Sequence, residues 1–361
     1  MNGPQLLVTG CYAPDMDGRG TGLTCYRRDP RDGSLTPVGA LPLPSPSYLV
    51  QHPTLPLLYT TNEAGEEGSV SVVAIEDDGA LRELARVPSQ GGWPCHLAFG
   101  EGGRRLGVAN YRTGTALLLD LDAAGLPTGG GRLWAGDPDA VGPRADRQDA
   151  PHAHMVVPGP DGLWTVVDLG TDQLRSHGPE GGPRPLAVTA LPAGTGPRQL
   201  VRGADGLAYL AGELDSRLHV LRETAPGAWA VLGSVPATAV ESAGGNLPAQ
   251  LTVSGDGTRV YLSNRGADTV ALFRTGSADE LPRFVAEFPS GGSGPRHLEA
   301  VGDHLYVSNE NSDTLTVHAV DAVSGALTVL RQYPTGSPTC ALAVRPAVSR
   351  PRTTATGPAV D

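Results

Sequence analysis

The chain repeats itself. An apolar strand, a Gly/Asp turn, a second strand ending in a polar residue and a third strand recur six times, starting at Tyr48, His96, His154, Gln199, Gln250 and His297. The polar residues that close the second strands are Asn62, Asn110, Asp168, Glu213, Asn264 and Asn309, spaced by 48, 58, 45, 51 and 45 residues. A unit of about 50 residues with four short strands cannot bury both faces of its own sheet, so the copies must stack around an axis as the blades of a β-propeller. The two ends supply one further blade between them. QLLVTGCYA and GLTCYRRD match a second and a third strand with no first strand ahead of them, and TCALAVRP, Thr339 to Pro346, matches a first strand with nothing after it. The expected fold is therefore all-β: a seven-bladed β-propeller over residues 1–346, closed by a C-terminal strand joining three N-terminal strands. This closure removes the exposed strand edges of an open array. The last residues, 347–361, rich in Arg, Thr and Pro, are expected to be a disordered tail.

Composition agrees with many short strands rather than with low complexity. The 49 glycines and 33 prolines are dispersed between apolar runs, and the hydrophobic fraction of 39% suffices for a core. No window approaches the roughly 18 to 20 apolar residues of a spanning helix. The N-terminus, MNGPQLLVTG, has neither a basic region nor an apolar stretch of signal-peptide length, and Cys11, Cys25, Cys95 and Cys340 show no CxxC spacing. A cytoplasmic protein with reduced thiols is expected, without a structural zinc site. With 38 acidic against 27 basic residues, a formal charge of −11, neither nucleic acid nor a membrane surface is an expected partner. An anionic ligand must find a local cluster of arginines. Oligomeric state is not legible.

In a propeller the first strand of each blade lines the central channel, and the loop before it opens onto one face. The residue leading each first strand then points at the channel mouth, which places His96, His154, Gln199, Gln250 and His297 there as a polar ring. In DAPHAHMVV, His152 and His154 both precede such a strand. In GTGPRQL, Arg198 sits before the next one, Glu213 closes the second strand of the same blade, and Arg265 directly follows VYLSN one blade further on. Structural roles compete for each position: a bridge to the next blade for His154, inter-blade salt bridges for Arg198 and Arg265, a turn-capping carboxylate for Glu213. Glu63 and Glu310, after Asn62 and Asn309, read as blade corners, although Glu63 is placed to face the mouth. A Cys95–His96 nucleophile is not expected, since adjacent strand residues point to opposite faces. The Gly-rich GTGGGRLWAGD and SGGSGPRH lack the strand-to-helix setting of a phosphate loop and read as turns.

The segments PHAHMVVPGPDG, VVDLGTDQL, GTGPRQL, AYLAGELDSRLHV, VYLSNRGADTVALF, GPRHL and YVSNENSDTLTV, in this order, resemble the seven-bladed propeller lactonase family, whose activities include 6-phosphogluconolactonase and the carboxymuconate lactonising enzyme. The resemblance covers nearly the whole chain. It implies a hydrolase that opens a sugar lactone, 6-phosphogluconolactonase-like, in carbohydrate metabolism, with a small anionic lactone or sugar acid as its ligand and no cofactor or metal. By the same resemblance His154, Glu213, Arg198 and Arg265 form the cluster for catalysis and substrate binding, with His154 and Glu213 expected as catalytic and Arg198 and Arg265 as substrate-binding; His152 and His297 at the mouth are expected to bind substrate with them. Lactone opening needs an activated water, a stabilised oxyanion and a protonated leaving oxygen. Glu213 is expected as the base toward water and His154 as the donor to the leaving oxygen. The chain departs from the family where Gln199, Gln250 and Thr252 replace residues that are proton carriers in many relatives. Two other readings stay open: a cycloisomerase of the carboxymuconate type, and a non-enzymatic platform for protein binding.

Overall fold

The computed structural model describes residues 5–345 apart from 179, 181, 204, 205 and 277–279. The expected tail, 347–361, lies outside the described residues. Within them, seven four-stranded antiparallel sheets form the blades of a propeller. Blade 1 is the closing blade: its innermost strand, Pro338–Val344, pairs with Leu6–Cys11, which is followed by Gly22–Arg28 and Leu35–Pro42. The C- and N-terminal strands run antiparallel, with Leu6 opposite Val344 and Thr9 opposite Ala341. Blades 2 to 7 begin with the innermost strands Pro46–Gln51, Pro94–Phe99, Ala153–Pro158, Pro197–Arg202, Leu247–Val253 and Pro295–Val301.

Burial follows position in the blade. Second strands such as Leu57–Asn62 are buried throughout, because both sheet faces meet neighbouring blades, whereas the outer strand Leu81–Pro88 alternates with period two at the solvent edge. The core is a ring of seven apolar clusters, one per blade interface. Leu6, Val8 and Leu23 of blade 1 pack on Leu49, Leu58 and Val73 of blade 2. At the ring's closure Leu7 and Tyr26 of blade 1 meet Tyr306, Leu315 and Val317 of blade 7. The four cysteines are buried and free.

Two local features set up the site. The spacing of 58 residues, longest of the set, reflects the connection 136–152 between blades 3 and 4, which carries Arg147, Gln148 and Asp149. The second is a one-residue register shift at the start of the innermost strand in all seven blades; in blades 3, 4, 5 and 7 it takes one form. The pairing skips from Pro94 to His96, Ala153 to Met155, Pro197 to Gln199 and Pro295 to His297. Each β-bulge leaves one extra residue unpaired and re-aims its side chain.

Candidate active site

The bulged residues there are Cys95, His154, Arg198 and Arg296, with Thr339 at the equivalent place in blade 1, and all five line the channel mouth. This register corrects the expected one. His154 is equivalent to Arg198 and Arg296, while His96, Gln199 and His297 align with Met155 one position deeper. A second ring comes from the residue just past the end of the second strand. The backbone N–H groups of Tyr12, Glu63, Tyr111, Glu213 and Glu310 each donate to a carbonyl of the loop before the innermost strand: Ser337, Ser45, Trp93, Gly196 and Gly294. Glu213 therefore belongs with Glu63, Tyr111 and Glu310 rather than with Asn62 and Asn309. Those asparagines brace the blade corners, donating to Ser69, Ser71, Thr316 and the Ser290 carbonyl.

Glu213, only 1% exposed at its side chain, is the hub of one network. Arg147 Nη2 lies 2.6 Å from its Oε1, and Arg198 Nη1 and Arg265 Nη2 each lie 2.7 Å from Oε2. Arg198 Nη1 also donates to His154 Nε2 at 2.6 Å. The four expected residues His154, Arg198, Glu213 and Arg265 thus converge, joined by Arg147. The expected proton roles do not survive this geometry. Burial alone would raise the Glu213 carboxyl, but the guanidiniums of Arg265, Arg198 and Arg147 hold it well below the usual range, and both oxygens are engaged. It is a poor base and a strong counter-charge. For His154, burial and the adjacent Arg198 cation lower its basicity well below that of a free imidazole. A guanidinium only donates, so Nε2 is the acceptor and the single proton sits on Nδ1. His154 is a neutral hydrogen-bond donor, not an acid. Its Nδ1 has no partner among the described residues.

A second network surrounds Arg296, which sequence position alone does not single out. Its Nη1 pairs with Glu310 Oε2 at 3.0 Å, its Nη2 donates to the Tyr12 hydroxyl at 2.6 Å, and its guanidinium stands 4.9 Å from the Tyr12 ring centre. The Tyr12 hydroxyl in turn donates to Glu63 Oε1 at 3.1 Å. Burial pushes the Glu63 carboxyl up, against the pull of Arg296. Both networks reach one tight cavity, bounded by Glu63, Cys95, His154, Arg198, Arg296 and His297 among others. An open groove with Arg265, Arg296, Asp268, Glu310, Ser242 and Asn311 on its walls lies beside it, between blades 6 and 7.

The remaining expected residues sit differently. His152 is not a wall of this cavity: its Nδ1 contacts the Tyr111 carbonyl and its Nε2 contacts Asp149, both at 3.0 Å, and its ring stacks on Tyr111 at 4.6 Å. It props Tyr111, whose ring stands edge-on to His154 at 5.7 Å, and both its nitrogens are engaged before a substrate arrives. His297 does line the cavity, and burial drives its imidazole down to about 3, so it is neutral. The Cys95 thiol, raised by burial, points at the His154 carbonyl at 3.4 Å and is no thiolate nucleophile. Gln199 and Gln250 bridge blades 5 and 6 side chain to side chain at 2.5 Å.

The family model described as lactonase, 7-bladed beta-propeller, matches residues 6–343. The 6-phosphogluconolactonase of Bacillus subtilis is 26% identical over 329 residues, 87% of this chain and 91% of that one. Among solved structures, the periplasmic gluconolactonase PpgL of Pseudomonas aeruginosa superposes with a TM-score of 0.85 at 29% identity, covering 94% of this chain and 99% of its own. A putative 6-phosphogluconolactonase from Bacteroides fragilis gives a TM-score of 0.83 at 25% identity, over 93% and 97% of the two chains. The family match takes in every blade and the residues of both networks, and the chain belongs to the lactonase family of seven-bladed β-propellers.

Proposed function

We propose that the protein hydrolyses a sugar lactone that carries a negative charge, with 6-phosphogluconolactone the first compound to test. The observation that carries this reading is the charge at the channel mouth. Four guanidiniums, Arg147, Arg198, Arg265 and Arg296, face three carboxylates, Glu213, Glu310 and Glu63, with Asp268 on the groove wall accepting from the Gly294 N–H. This gathers arginines at one mouth of a protein whose formal charge is −11. Arg265 shows the crowding: burial, with Arg198 and Arg296 nearby, lowers it to about 10 despite the attraction of Glu213. A bound anion relieves this repulsion and accepts charge-assisted hydrogen bonds in return.

The walls suggest how a lactone would lie. An anionic arm fits the groove of Arg265 and Arg296, which puts the ring carbonyl toward the small cavity. There Arg198, whose Nε has no partner among the described residues, and the His154 Nδ1–H are donors for the oxyanion of the tetrahedral intermediate. The convergence of these side chains on one small cavity favours a metabolite over a broad protein-binding face. The test is a panel of phosphorylated sugar lactones, neutral sugar lactones and muconates, with acid release followed by pH-stat and muconate turnover by absorbance. Hydrolysis of the charged lactones ahead of the neutral ones is expected; turnover of muconates alone would move the assignment to the cycloisomerase.

A further inference from the structure

We infer that Glu63 is the general base that activates the attacking water, held in position by Tyr12 and Arg296. The inference rests on the lactonase reading above and names the proton carrier that this reading lacks. Glu213 is locked to three arginines, and the acceptor nitrogen of His154 is taken by Arg198. Glu310 pairs with Arg296 on the wall of the outer groove. Of these three carboxylates only Glu63 is a wall of the inner cavity, together with Arg198, His154 and Arg296.

Donor logic fixes how it is presented. Arg296 can only donate, so the Tyr12 oxygen accepts from it, and the Tyr12 hydroxyl proton goes to Glu63 Oε1. That bond orients the carboxylate and leaves Oε2 without a hydrogen-bond partner among the described residues, although Glu63 is only 5% exposed. The Ser47 hydroxyl on the same wall lies 3.0 Å from Thr61 Oγ1, where either can donate, and it also acts on the Glu63 carboxyl. A buried carboxylate oxygen with no partner is costly unless a donor comes to it, and a water in the cavity is the candidate. Around Glu63 stand the cations of Arg296 and Arg198 and the hydroxyls of Ser47 and Tyr12, all of which pull its carboxyl down, and the Cys95 thiol, itself held neutral by burial. Burial outweighs them and raises Glu63 above an ordinary carboxylate, in the direction a base working near neutrality needs.

The proposed steps balance. A water O–H bond breaks as its oxygen bonds to the lactone carbonyl carbon; the proton passes to Glu63 Oε2 and the carbonyl electron pair moves onto the oxyanion. Collapse breaks the ring C–O bond, and the departing alkoxide takes the proton from Oε2. The product acid then ionises to solvent, and Glu63 ends as it began.

The experiment compares pH–rate profiles of wild type and Glu63→Gln on the lactone that the wild type turns over best, with calorimetric affinity for the product acid measured alongside. The glutamine keeps the acceptor for Tyr12 and loses the basicity. The expected result is a kcat lower by about a hundredfold or more with product affinity within about threefold. The wild-type rate should rise with pH through a pKa above the ordinary carboxylate value of 4.5, and that limb should vanish in the variant. A wild type that opens no lactone overturns the lactonase reading and this assignment together. An active wild type whose Glu63→Gln variant keeps either its kcat or the limb overturns the base alone. Should Glu63→Gln not fold, Tyr12→Phe carries the test: without its hydrogen bond to Oε1 the limb should move to higher pH, and an unmoved limb overturns the assignment.

Discussion

Glu213 is defined by what it neutralises. Three guanidiniums converge on a carboxylate that is almost wholly buried, so removing its charge leaves cations desolvated and unpaired. Glu213→Gln should therefore lower the free energy of unfolding by about 3 kcal/mol or more at neutral pH, measured by urea titration. The pH dependence has a definite sign. A carboxyl whose folded-state affinity for protons is depressed contributes stability above its ordinary value of 4.5 and loses it as the pH falls toward the folded value. The gap between wild type and variant should be full above that pH and narrow below it. A variant as stable as wild type at neutrality would show that the arginines do not depend on this charge. Spacing along the chain suffices to bring His154, Arg198, Glu213 and Arg265 to one mouth. Their protonation roles are not legible in it, because these depend on which cations stand within hydrogen-bond reach, and Arg147 lies on a connection outside the repeat.

At the scale of the element, the bulge decides which side chains reach the mouth. A one-residue insertion in a strand exchanges the side chains that face the channel with those beside them, which is why an apolar pattern alone aligns His96 with His154. Aligning the prolines instead, GPRQL with GPRHL, brings Arg296 level with Arg198, and aligning YTTNE with AYLAGE brings Glu63 level with Glu213. Those signals are present in the sequence but carry meaning only once the register is known. The loop before each bulge holds it in place. Gly196 has φ +56°, its N–H donates to Asp172 Oδ1 at 2.7 Å, and its carbonyl accepts from the Glu213 N–H at 2.9 Å. A Cβ there would stand 2.2 Å from Leu214 Cγ. Gly196→Ala should cost about 1–3 kcal/mol in a thermal or urea melt and depress kcat/KM, because Arg198 and Glu213 flank this joint. Unchanged stability and activity would mean that the loop tolerates another path.

For the whole molecule, stability and chemistry both depend on ring closure. Each blade buries its faces only against its neighbours, and Pro338–Val344 supplies the innermost strand of the closing blade as well as Thr339 in the cavity wall. Truncation before residue 338 should expose the edge of Leu6–Cys11 and yield aggregates in size-exclusion chromatography. A soluble, cooperatively unfolding truncation would contradict that dependence. The closed ring in turn lets a strongly acidic protein hold four arginines around one small space, and the proposed preference for a charged lactone depends on this local field. Its most direct test is the ratio of kcat/KM for 6-phosphogluconolactone to that for the unphosphorylated gluconolactone, measured in wild type and in Arg265→Ala. The ratio should lie well above one in the wild type and fall about ten- to a hundredfold in the variant, the size of one charged hydrogen-bonding partner. A ratio near one in the wild type, or one that Arg265→Ala leaves unchanged, would contradict it.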